Sequence, residues 1–209
     1  MTLEDALEAC GIIAILRGVT PAEVIAVSQT LYDAGIRVVE VPLNSPEPFV
    51  SIEKLSKAFA DKLVVGAGTV LSVQDVNVLK AHGGQISVSP DCNEAVISRA
   101  KDLGIEPLPG VFTPTEAFAA IRAGAKHLKL FPAEVASPQT IKAWKAVLPK
   151  HVKIYAVGGV TPENMGDWLA AGASGFGIGS SIFKPGMNLA KISESAHSLV
   201  SAWKRAKAK

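Results

Sequence analysis

Apolar residues along this chain fall into two alternating textures. Short continuous runs such as Ile12-Ile13-Ala14-Ile15-Leu16 are followed by longer stretches in which apolar residues return at helical spacing, such as Val24, Val27 and Leu31. A continuous run suits a strand covered on both faces. A spacing of three to four suits a helix with one buried stripe. The pair recurs, and the pattern predicts eight strands, at 12–16, 38–41, 63–68, 85–88, 105–108, 127–132, 153–157 and 175–178, each followed by a helix. A further short helix over 3–9 precedes the first strand.

The punctuation between elements agrees with that reading. Thr20-Pro21-Ala22-Glu23, Thr113-Pro114-Thr115-Glu116 and Thr161-Pro162-Glu163 each place Thr where a helix cap belongs, with Pro at the first helical position. Gly35, Gly104, Gly124 and Gly172 stand where helices stop and the left-handed conformation is wanted. Eight strand–helix repeats predict a parallel sheet, and eight is the number that closes a (β/α)8 TIM barrel. A doubly wound open sheet is the alternative, but no Gly-x-Gly-x-x-Gly loop follows the first strand and the chain does not break into halves. With no linker or low-complexity segment, the expectation is one TIM-barrel domain over residues 1–209 with a short N-terminal helix.

Composition narrows the function. A formal charge of +2 over 209 residues gives no basis for nucleic-acid binding, and the basic tail Trp203-Lys204-Arg205-Ala206-Lys207-Ala208-Lys209 suits the C-terminal end of a helix dipole. Cys10 and Cys92 are far apart, with no Cys-x-x-Cys pair and no His at ligand spacing, which argues against a disulfide framework or a zinc site. The acids at Glu4 and Asp5 stand where a secretory signal would carry bases, and no apolar run reaches the roughly 18 residues a membrane span needs. A soluble, cytoplasmic protein that binds no membrane is expected.

In a barrel the site lies at the C-terminal ends of the strands. Those ends carry Arg17, Glu40, Thr69, Pro90, Gly110, Lys129 with Phe131, Gly158-Gly159 and Gly179-Ser180. Side chains two apart share a face of a strand, so His127, Lys129 and Phe131 point one way while Leu128 and Leu130 point the other. If the leucines pack under helices, a lysine enters the barrel, and Glu40 does the same from the second strand.

One reading is a buried ion pair that only fills space, although desolvation makes such pairs poor stabilisers. The other is chemical: desolvation lowers a lysine pKa, and a neutral amine is the nucleophile for carbonyl substrates. Arg17 would then disfavour protonated lysine or receive a carboxylate, and Glu40 is the strand-end carboxylate available for proton transfer. The absence of an Asp, Glu and His cluster favours imine chemistry over metal-assisted enolisation, with no cofactor required. Gly158-Gly159 and Gly179-Ser180-Ser181 fall after strands seven and eight, where barrels commonly seat a phosphate. Among the four histidines, which do not cluster, His127 reads as a satisfied core residue one layer deeper.

The ordered set Ile13-Ala14-Ile15-Leu16-Arg17-Gly18, Val39-Glu40-Val41-Pro42-Leu43-Asn44-Ser45-Pro46, Gly66-Ala67-Gly68-Thr69-Val70, Ser89-Pro90, Pro109-Gly110, Leu128-Lys129-Leu130-Phe131-Pro132, Ala156-Val157-Gly158-Gly159-Val160 and Gly177-Ile178-Gly179-Ser180 resembles the keto-deoxy-phosphogluconate/phosphogalactonate aldolases along nearly the whole chain. The resemblance implies a class I aldolase in which Lys129 forms the Schiff base and Glu40 is the acid/base. It places Arg17, Thr69, Pro90 and Phe131 around the pyruvate moiety, and Gly158, Gly159, Gly179 and Ser180 at the phosphate. The implied substrate is a phosphorylated 2-keto-3-deoxy sugar acid, cleaved to pyruvate and glyceraldehyde 3-phosphate. Asn44 replaces the Arg usual in gluconate-type members, and Asn-Ser-Pro resembles the phosphogalactonate branch, which favours 2-dehydro-3-deoxy-6-phosphogalactonate as the substrate. Either C4 epimer, or 4-hydroxy-2-oxoglutarate, stays open as substrate, as does a phosphate-binding isomerase or epimerase of the same fold. A homotrimer is implied by the resemblance alone.

Overall fold

The computed structural model describes residues 1–208. Nine strands form one sheet: β1 (Ile12–Ile15), β2 (Val38–Pro42), β3 (Val64–Gly68), β4 (Ile86–Val88), β5 (Glu106–Leu108), β6 (Gly110–Val111), β7 (His127–Leu130), β8 (Lys153–Val157) and β9 (Gly175–Ile178). Every pairing is parallel, in the order β5-β4-β3-β2-β1-β9-β8-β7-β6. The two ends of that order are consecutive in the chain. β5 bonds to β4 and β6 bonds to β7, with only Pro109 between them, so the sheet closes into the expected barrel of eight staves.

The fifth stave corrects the expected single strand over 105–108. Proline has no N–H to give to a ladder, and Pro109 divides the stave into two short strands. Its carbonyl accepts from Lys129 N at 2.9 Å, while Gly110 N turns to Asp91 O at 3.1 Å. A side chain on Gly110 would overlap the Pro90 carbonyl, so glycine allows the β4 loop to close over this break.

Helices α1 (Leu3–Ala9), α2 (Val24–Ala34), α3 (Pro48–Ala58), α4 (Val73–Ala81), α5 (Glu94–Asp102), α6 (Pro114–Arg122), α7 (Pro138–Lys145), α8 (Met165–Ala170) and α9 (Leu189–Lys207) complete the fold. The cap at Thr113 is built as expected, with its hydroxyl accepting from Glu116 N and the Glu116 carboxylate accepting from Thr113 N. The other two Thr-Pro turns differ. Glu23 accepts from Thr20 N at 2.9 Å, but helix α2 starts only at Val24. Before α8, Asn164 replaces the expected Glu163, accepting from Thr161 N and donating to Gly159 O, both at 2.9 Å. Side chains of this kind offer the backbone a turn in place of a helical first turn. Among the described residues no helix is long and apolar enough to cross a membrane.

Alternation along the staves divides the core. Ile12, Ala14, Val39, Val41, Leu128 and Leu130 pack outward under the helices. Ile13, Val38, Val64, Ile86, Val88, Leu108 and Tyr155 pack inside the barrel, together with Leu3, Ala6 and Leu7 of α1. Helix α1 is therefore the floor of the barrel, which leaves the opposite end as the mouth. His127 belongs to the floor, as expected of a satisfied core residue. It is 2% exposed, its Nδ1 lies 3.0 Å from the Tyr155 hydroxyl, and its Nε2 is 3.5 Å from Glu4.

Candidate active site

Glu40 and Lys129 stand on the inner faces of β2 and β7. They are 2% and 7% exposed, and both line a small apolar chamber with Ile13, Ile15, Val88, Leu108, Tyr155, Val157 and Gly177. No ion pair joins them. Lys129 Nζ lies 4.5 Å above the centre of the Phe131 ring, a cation–π arrangement. Glu40 Oε2 is buried without a hydrogen-bond partner. A space-filling ion pair would satisfy that oxygen, so the geometry favours the chemical reading of the two residues.

The surroundings tune both groups. Burial pushes the Glu40 carboxyl up to about 7, opposed by the nearby charges of Lys129 and Arg17. Burial lowers the Lys129 pKa, Glu40 opposes that shift and Arg17 reinforces it. A lysine depressed by desolvation beside a carboxyl poised near neutrality has the chemistry required of a nucleophile and a proton-transfer group.

Gly68, at the end of β3, is a residue of this site that sequence reasoning passed over. A Cβ there would overlap Glu40 Oε2, so the carboxyl sits directly against the β3 backbone. Thr69 follows at φ 56. The left-handed region is costly for a β-branched residue, and such strain concentrates at functional sites. Its neighbour Val70 is held by Val70 N to Val88 O at 3.2 Å and by Ser89 Oγ donating to Val70 O at 2.7 Å. Both bonds tie the residue just after the strained one to the end of β4.

The mouth opens into a cleft of about 530 Å³ that gathers Arg17, Phe131, Gly158, Gly159, Gly179 and Ser180. Ile15, Val157 and Gly177 line both this cleft and the chamber beneath it, so the two are continuous. Thr69 and Pro90 end β3 and β4 at the same end of the barrel but do not line the cleft. Arg17 Nη1 donates to Asn44 Oδ1 at 2.6 Å, and Gly18 N donates to Ser45 Oγ at 2.9 Å, which pins the β1 loop to the β2 loop. Gly158 and Gly159 have φ of 107 and 68, conformations glycine adopts without strain. The Phe131-Pro132 peptide is cis. Asn44 as the partner of Arg17, and Lys184 in the cleft wall, had no signal in the local sequence pattern, because each acts through a loop packed from elsewhere. Among the described residues no group of three or more His, Cys, Asp or Glu side chains is arranged to hold a metal ion.

Known proteins show the same arrangement of chain. A family model described as KDPG and KHG aldolase matches residues 3–194. The chain is 45% identical over 195 residues to the 2-dehydro-3-deoxy-6-phosphogalactonate aldolase of Escherichia coli K12, covering 93% of this chain and 95% of that protein. A solved structure described as native KDPGal superposes with a TM-score of 0.93 at 44% identity, covering 95% of this chain and 96% of that one. KDPG aldolase from Legionella pneumophila, with pyruvate captured as a covalent carbinolamine intermediate, superposes with a TM-score of 0.85 at 25% identity, covering 93% and 96%.

Proposed function

The chain belongs to the KDPG and KHG aldolase family, and from that premise we propose that it cleaves 2-dehydro-3-deoxy-6-phosphogalactonate to pyruvate and glyceraldehyde 3-phosphate through a Schiff base on Lys129. It is a carbon–carbon lyase. The observation that carries the assignment to Lys129 is the unpaired burial of Lys129 and Glu40 in one chamber beneath the cleft. The galactonate epimer is favoured by the E. coli relative at 45% identity and by Asn44.

The reaction runs as follows in this reading. Neutral Lys129 Nζ attacks the C2 ketone, and the amine proton passes to the C2 oxygen. A proton from the Glu40 carboxylic acid lets that hydroxyl leave as water, giving a protonated imine and an ionised Glu40. Glu40 removes the C4 hydroxyl proton, the C4 oxygen forms a carbonyl, and the C3–C4 electron pair passes into the imine to give an enamine. Glyceraldehyde 3-phosphate departs, the enamine takes a proton at C3, and water releases pyruvate and the free lysine. Arg17, held by Asn44, receives the substrate carboxylate, and Phe131 lies beside the pyruvate carbons, with Thr69 and Pro90 framing the same end. Gly158, Gly159, Gly179 and Ser180 seat the phosphate through backbone N–H groups and a hydroxyl. No cofactor enters.

Borohydride reduction in the presence of pyruvate, followed by peptide mapping, is expected to place the label on Lys129. Label elsewhere, or none, overturns the assignment. Pyruvate release on the two C4-epimeric phosphorylated substrates, run side by side, is expected to favour the galactonate. Equal or reversed preference overturns that choice of substrate. We further propose a cytoplasmic homotrimer. Exposed Leu71 and Phe112, in loops that follow strands, and Val135, in the 3-10 turn Ala133–Val135 after β7, offer apolar surface for association at the mouth end. A monomeric mass by sedimentation would sink it.

A further inference from the structure

We propose that Lys184 is a specificity-determining residue, the mobile counter-charge for the phosphate end of the substrate; the proposal rests on the reading of the mouth cleft as the aldolase site. Three charged side chains line that cleft: Arg17, Glu134 and Lys184. Arg17 is already engaged by Asn44 at 2.6 Å on the β1–β2 side. Glu134 lies at the other end, against the glycines. Its Oε2 is 3.1 Å from where a Cβ on Gly158 would stand, and its Cβ is 2.9 Å from the same point on Gly159.

The glycine loop expected to hold a phosphate thus has a carboxylate packed on it. A phosphate monoester carries close to two negative charges near neutral pH. Backbone N–H groups and the Ser180 hydroxyl would have to bind it in the face of that repulsion. Lys184 restores a net positive charge to the cleft. Without it, Arg17 and Glu134 cancel.

The local chain holds the Lys184 backbone and leaves its side chain free. On one side Ile182 N and Phe183 N donate to Gly179 O at 2.9 and 3.1 Å, with both side chains buried. On the other, Pro185 Cγ stands 2.7 Å from where a Cβ on Gly18 would be, so Pro185 packs on the loop that carries Arg17, and Met187 N donates to Lys184 O at 3.0 Å. Lys184 itself is exposed and makes no ion pair with any described residue. An ammonium on a flexible stem with three donors suits a phosphate as a point charge.

The test compares Lys184→Met and Lys184→Arg with the wild type in three measurements. Calorimetric titration with inorganic phosphate needs no turnover; Lys184→Met is expected to bind about tenfold more weakly, as for loss of one hydrogen bond to a charged group, and Lys184→Arg to bind as the wild type does. In steady-state cleavage, Lys184→Met is expected to raise KM for the phosphorylated substrate by a similar factor with kcat kept. Its cleavage of 4-hydroxy-2-oxoglutarate, which has no phosphate, and its borohydride trapping with pyruvate are expected to stay at wild-type levels. Unchanged phosphate affinity in Lys184→Met overturns the proposal, as does an equal loss on the unphosphorylated substrate. Failure of the wild type itself to trap pyruvate overturns the aldolase reading instead, and the phosphate titration still decides the role of Lys184.

Discussion

Glu40 is held in two conflicting ways. Its carboxyl is enclosed, with one oxygen unpartnered, while two cations lie near enough to favour its charged form. Burial wins and leaves it titrating near pH 7. As the proposed base it must be ionised, so cleavage is expected to rise as pH climbs through about 7. Glu40→Gln is expected to lower turnover by about 10²–10⁴-fold, the usual contribution of a positioned acid/base, while pyruvate trapping at Lys129 persists. Folding responds with the opposite sign. Because the folded pKa is raised, the stability linked to Glu40 is fully present below the unfolded value and is lost as pH rises through about 7. Glu40→Gln should therefore gain stability relative to the wild type between pH 5 and 8, by something of the order of 2–3 kcal/mol. Thermal melts across that range check it, and a constant difference would show that Glu40 does not carry the shift. Lys129 and Glu40 were legible because a strand alternates faces, so a charged residue between outward apolar ones must point inward. Asn44 was readable as a departure from the gluconate-type pattern, but its bond to Arg17 crosses two loops and leaves no trace in either one's spacing.

At the scale of elements, the end of β3 governs how Glu40 is presented. β2 and β3 pair over five positions, with Glu40 opposite Gly66 and Pro42 opposite Gly68. The carboxyl reaches along the barrel wall to lie over Gly68, and a Cβ there would overlap it. Gly68→Ala is expected to displace the Glu40 side chain, cutting kcat by at least tenfold, and to cost about 1–3 kcal/mol, as overpacking in a filled interior does. Its activity should not recover at a pH that fully ionises Glu40; recovery would mean the pKa and not the position had changed. Sequence pattern located this strand but not the reason for its glycines, since a Gly-rich strand end reads equally well as a turn. The split of β5 from β6 escaped for a related reason. A proline inside a short apolar run marks a possible break, but whether the chain then crosses to another stave or resumes the same one depends on which neighbours it bonds to.

Over the whole molecule the barrel has two ends with different work. The mouth carries Arg17, Gly158, Gly159, Gly179 and Ser180 around an open cleft, whereas α1 packs across the floor. Leu3, Ala6 and Leu7 enter the same inner layer as Ile13, Val38 and Tyr155. The other face of α1 is tied down as well, because Lys207 Nζ, near the end of α9, donates to Glu8 O at 2.9 Å. Lys207 thereby serves the fold, and it is also stacked 4.8 Å over Trp203. The Lys129 chamber sits above Tyr155, so floor and chemistry share one column of side chains. If the floor only seals and supports, Leu7→Ala, a truncation at 6% exposure, should cost about 2–5 kcal/mol and leave kcat per folded molecule unchanged. Unfolding with denaturant measures the first, and turnover normalised to folded protein at low temperature measures the second. A fall in kcat that exceeds the loss of folded protein would instead mean that the position of Tyr155 beneath Lys129 depends on the plug, which would make α1 part of the catalytic apparatus.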